Sequence, residues 1–129
     1  MAIGRGNNAG PATEFFPFSA ASASSPAVLI TATTATGGGT VVHTGDANAQ
    51  DVLFMRLSNF SASTLVGYVQ LGSLATTGTV PVSVPAGSQS TVFIGDATIS
   101  KSGVVGVWTT ATTGLCAYGY IARTYTATS

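Results

Sequence analysis

Between residues 51 and 71 apolar side chains recur at every second position. Over 51–59, Leu53, Met55 and Leu57 fall on one side of an extended chain, with Val52, Phe54 and Arg56 on the other. A small polar stretch follows, and then Leu65, Val69 and Leu71 share a side, with Val66, Tyr68 and Gln70 opposite. Two strand-like runs flanking a Ser/Ala turn predict a β-hairpin over 51–71. Both of its faces carry large apolar groups. One face is expected to meet a second sheet, the other a partner or an arm.

The same alternation predicts strands over 27–34 and 40–44, with a glycine turn between them. Beyond residue 71 come a loop over 72–78 and a strand over 80–84, which Pro81 confines to an edge or a bulge. Strands over 91–94 and 98–102 are expected to be separated by a turn at Gly95-Asp96. Residues 104–110 and 115–126 predict a last hairpin. No stretch carries a helical period. About seven or eight short strands, spaced about 10–15 residues apart, predict an all-β antiparallel sandwich or jelly roll over 26–129.

Residues 1–25 read instead as an extended N-terminal arm. Breaker-rich and small polar segments flank Phe15, Phe16 and Phe18, and Pro17 excludes a regular helix or a central strand there. Left exposed, three such rings are an aggregation hazard. Two placements are open: the arm folds back on its own core, or it docks on a neighbouring subunit. Docking makes Arg5, Phe15, Phe16 and Phe18 the candidate partner contacts.

Composition narrows the classes. Of 129 residues only 6% are charged, four of each sign, against about a quarter in ordinary domains. Such a chain has no basic stripe for nucleic acid. Its near-zero net charge does little to keep free monomers apart, which suits a protein packed against neighbours. The single cysteine, Cys116, permits no intrachain disulfide and no cysteine zinc site, and reads as a small buried thiol. The first residues lack the apolar core of a signal peptide, and no apolar run reaches the ~18–20 residues of a membrane span. Synthesis in the cytoplasm and no membrane partner are the expectations.

Candidate chemistry is sparse. His43, the one histidine, has Asp46 and Asp51 nearby, but in so hydroxyl-rich a chain any histidine has serine or threonine close by. A strand-end histidine donating to backbone or to an acid accounts for it. Asp46, Asp51 and Asp96 lie near turns but lack calcium-loop spacing. Gly37-Gly38-Gly39 precedes a strand, so it makes no phosphate loop. Trp108, Tyr118 and Tyr120 offer a carbohydrate-stacking platform, with packing as the plainer role. The expectation is a non-enzymatic protein with no cofactor and no metal.

From residue 39 onward the order of these signals resembles small structural proteins of tailed bacteriophages. The segment GTVVHT, a loop ending at Asp51, then VLFMRLSNFSAST and VGYVQLG match a G-T-x-x-H-T segment, an acidic strand start, an apolar-aromatic strand, a small polar turn and an x-L-G strand end. The stretches VSVPAGSQSTVFIGDATIS and VVGVWTTATTGLCAYGYIARTY resemble the same group's close. The likeness covers residues 37–125. It departs at Asp51, which is followed by valine rather than a second acid, and in the Phe-rich arm. What the resemblance implies is a β-sandwich virion component, a head decoration (cement) protein on the capsid exterior. Its partners would be the major capsid protein lattice and its own copies, as a homotrimer. The group carries no catalytic residues to transfer. A receptor- or glycan-binding β-sandwich of a tail or head fibre, using Trp108 or the tyrosines, is the alternative.

Overall fold

A computed structural model describes residues 13–22, 24–36, 39–46, 48–71, 79–100, 103–110 and 113–125, with the backbone alone for 93–100. Nine strands are present among them: β1 (Thr13–Pro17), β2 (Val28–Leu29), β3 (Thr40–Thr44), β4 (Ala49–Asn59), β5 (Leu65–Leu71), β6 (Thr79–Val84), β7 (Gln89–Ser100), β8 (Val104–Trp108) and β9 (Leu115–Tyr125). They form two antiparallel sheets. One has the order β1-β9-β4-β7, with β2 also on β9, and the other has the order β3-β8-β5-β6. Strands β2 to β9 thus divide as 2-9-4-7 over 3-8-5-6, the double Greek key of a jelly roll.

The core explains the alternation. In β4, Ala49, Asp51, Leu53, Met55, Leu57 and Asn59 are all buried, so every second side chain enters the sandwich. Leu53, Met55 and Leu57 join Leu65 and Val69 of β5, Val105 and Val107 of β8, and Leu115, Ala117 and Ile121 of β9 in one cluster. Gly67 belongs to this interior. A Cβ there would lie 2.6 Å from Leu57 Cδ1, so the missing side chain makes room for two leucines, Leu57 and Leu115.

Both predicted hairpins are corrected by the topology. Strands β4 and β5 lie in different sheets, as do β8 and β9. A hairpin would have kept the two inward rows on one face of one sheet, whereas folding the chain over the edge sets those rows face to face. Asn59 holds that corner. Its Nδ2 donates to Ser63 O and Val84 O (both 2.8 Å), and its Oδ1 accepts from Ser61 N–H and Ser61 Oγ–H.

Other differences are local. The strand expected over 27–34 contracts to β2, because Thr31 and Ala32 give their N–H groups to Thr40 Oγ1. The two strands expected over 91–102 are one, β7, whose register against β4 jumps from Ile94 to Ile99 while β4 advances from Leu53 to Asp51. Gly95-Asp96 falls in that irregularity, so it bulges the strand rather than ending it. Pro81 lies on β6, which among the described strands pairs only with β5, at a sheet edge as expected.

The described part of the arm folds back on its own domain. β1 pairs with residues 120–124 of β9, and β2 continues along the same edge at 116–117. Between them the chain swings to the other sheet, where Ala20 N–H donates to Val42 O (3.2 Å).

Candidate functional site

The outer face of the five-stranded sheet carries a row of aromatic rings. Register sets it up: Phe54 of β4 stands opposite Tyr120 of β9, and Phe15 of β1 lies one strand further out. Phe54 stacks on Tyr120 with centroids 4.9 Å apart and planes 17° apart. Phe15 meets Tyr120 edge-on at 5.7 Å. Phe15 is 69% exposed and Tyr120 44%, so large apolar surface faces solvent.

Beside Tyr120 lies a shallow hollow of about 360 Å³ bounded by Phe54, Arg56, Thr91, Tyr118 and Tyr120. Gly119 lines it between the two tyrosines. Its φ of +150° disfavours any side chain, and a Cβ at this position would run into the carbonyl oxygen of Phe54. Glycine is required there on both counts. At the rim Tyr118 Oη donates to Gln89 Oε1 (2.7 Å), with Arg56 Nη1 3.5 Å from the same oxygen. Flat rings beside a guanidinium, an amide and a phenol can hold a planar or polyhydroxylated ligand by stacking and hydrogen bonds.

Trp108 sits on the opposite sheet, away from this hollow. It stacks on Tyr68 at 4.0 Å and is half-buried. The predicted platform therefore divides: Tyr118 and Tyr120 share a site, and Trp108 does not join them.

His43 also has a defined role. It is buried, with Nε2 2.7 Å from Asp51 Oδ2. Arg123 grips the same carboxylate through Nε to Oδ1 (2.8 Å) and Nη2 to Oδ2 (3.0 Å). Burial works against the Asp51 charge, but the Arg123 and His43 hydrogen bonds and the charge of Arg123 outweigh it, leaving the carboxyl below its ordinary value. Arg123 is in turn held protonated, chiefly by its bond to Asp51. Its guanidinium lies 4.9 Å from the Phe16 ring centroid.

For a hydrolytic triad, the second ring nitrogen of His43 would have to receive a nucleophile's proton. That nitrogen, Nδ1, accepts the backbone N–H of Ser19 at 3.1 Å, and Ser19 Oγ accepts from Thr44 N–H. The arrangement is a histidine bridging backbone and acid. Asp46 turns back to Asn48 N–H, and no group of three His, Cys, Asp or Glu side chains converges among the described residues. Cys116 is half-buried. Burial pushes its thiol up, with a hydrogen bond to Ser58 acting against it.

The candidate contacts of the arm separate by position. Phe18 is 1% exposed and part of the core, Phe16 is half-buried under Arg123, and Phe15 is open to solvent. Arg5 lies outside the described residues. Phe54, Arg56 and Gln89 of the hollow were not among the sequence candidates, nor was Arg123. Asp51 and Arg123 did leave a signal, as single opposite charges on two inward rows.

No family model, curated protein or solved structure matches the chain.

Proposed function

We propose that this chain is a virion structural protein, a capsid decoration (cement) protein that binds the assembled head lattice and stabilises it. The observation that carries this reading is the aromatic row Phe15–Tyr120–Phe54, with Phe15 and Tyr120 exposed, on a jelly roll with almost no charge. Stacked rings with exposed faces give contact area at low entropic cost, and rings of this kind anchor interfaces. The motif order over 37–125 supports the same assignment. Binding assembled shell subunits and not free ones stabilises the shell by RT ln(1 + [L]/Kd) per site, about 2.7 kcal/mol at a hundredfold excess over Kd. Self-association as a homotrimer around a lattice axis is part of the proposal. The test is co-purification with intact particles. A stoichiometric ratio to the shell protein, and shells that lose heat resistance without the chain, are the expected results. A handful of copies per particle would place it on a tail or fibre instead.

The hollow beside Tyr120 favours one second reading, a glycan-binding role. An aromatic shelf rimmed by Arg56, Tyr118 and Gln89 suits a pyranose ring. Glycan-array binding that Tyr120→Ala abolishes and Trp108→Ala leaves intact would support it.

A further inference from the structure

We infer that the segment following the N-terminal strand is fastened by a proton-sensitive clasp, in which Ser19 binds His43 only while His43 Nδ1 carries no proton. The hydrogen bonds fix the tautomer. A backbone N–H can only donate, so Ser19 N–H at 3.1 Å requires a lone pair on Nδ1. The other nitrogen, 2.7 Å from Asp51 Oδ2, faces a carboxylate that Arg123 keeps ionised, so Nε2 carries the proton. Adding a proton at Nδ1 sets two donors against each other across 3.1 Å.

Asp51 apart, the groups packed on the ring are apolar. Phe18 lies against the imidazole with centroids 6.3 Å apart, and the facing β8 residues in register are Val104 and Val105. Asp46 acts on Arg123 from the loop after β3, Tyr125 bonds Arg123 from β9, and Glu14 of β1 is the register partner of Arg123. Asp51 is thus the one carboxylate hydrogen-bonded to His43 among the described residues.

What the clasp holds is the arm. Ser19 and Ala20 are tied to β3 by three bonds: Ser19 N–H to His43, Thr44 N–H to Ser19 Oγ, and Ala20 N–H to Val42 O. Phe16 is tied to the same cluster through Arg123. A proton on Nδ1 removes the acceptor that Ser19 N–H uses, so the protonated ring no longer holds this segment. The segment that loosens, Ser19 and Ala20, follows the buried Phe18. The inference holds whichever partner the outer face takes.

The test is amide hydrogen exchange of the full chain across pH, with His43 ring nitrogens followed by NMR in the same samples. The expected result is an Nε2–H tautomer at high pH. As His43 protonates, protection at Ser19 and Ala20 should fall about tenfold, the equivalent of one hydrogen bond, while core amides of β4 stay protected. His43→Gln, which keeps a donor and an acceptor but cannot take up the proton, should show no pH step. An Nδ1–H tautomer, protection unchanged through His43 protonation, or simultaneous loss across β4 would each overturn the clasp.

Discussion

Asp51 is the residue at which the core gives up its apolar pattern. It is fully buried, yet Arg123 and His43 occupy its oxygens, and Arg123 reaches partly to solvent. Removing the charge strands a guanidinium, so Asp51→Asn should cost about 3 kcal/mol, read as a lower urea midpoint at unchanged slope. The sign of the pH dependence follows from the direction of its shift. A carboxyl depressed in the folded state contributes stability above its unfolded value of 3.8, and that contribution is lost as pH falls below it. Thermal melts of Asp51→Asn and the parent should therefore converge at strongly acidic pH. Gly119 is the other sensitive position. A methyl group there meets the Phe54 carbonyl, a backbone atom that cannot swing away. Gly119→Ala should cost about 3 kcal/mol or more, measurable by the same denaturation.

At the scale of elements, strand identity is far more legible in the sequence than strand pairing. The period-two row of β4 and the edge position of Pro81 follow from side-chain alternation and a missing N–H, both local properties. Pairing is not local. Residues 60–64 read as a hairpin turn because nothing in the run Phe60-Ser61-Ala62-Ser63-Thr64 distinguishes a turn within a sheet from a corner between sheets. What decides it is Asn59, buried with four hydrogen bonds at the corner. Asn59→Ala leaves the Val84 carbonyl without that donor and should destabilise by about 2 kcal/mol, whereas Ser58→Ala on the same strand should change the midpoint little. The candidate site is half-hidden for the same reason. Tyr118 and Tyr120 stand out in sequence, but Phe54 and Arg56 join them only because β4 pairs with β9. The expected β4–β5 hairpin places them elsewhere.

For the whole molecule the partition among three phenylalanines sets how assembly should be probed. Deleting residues 2–25 would remove Phe18 from the core along with any contact, confusing folding with binding. Phe15 separates the two. Because it is mostly exposed, Phe15→Ala should alter monomer stability by less than about 1 kcal/mol. On the cement proposal, Phe15→Ala combined with Tyr120→Ala should weaken particle binding about tenfold to a hundredfold. Occupancy on purified shells, titrated against a denaturation control, checks both halves. Unchanged occupancy would remove the aromatic row from the interface.

The strand order also governs when the fold can form. Among the described strands only β5 and β6 pair with a neighbour in sequence, and both β1 and β2 depend on β9, the last strand. During synthesis Phe15 and Phe16 have no native strand partner until residues 121 and 122 have emerged. So many distant contacts imply folding in milliseconds to seconds rather than microseconds. A nascent chain halted before Leu115 should resist proteolysis no better than an unfolded one, and release of β9 should bring protection to both ends together.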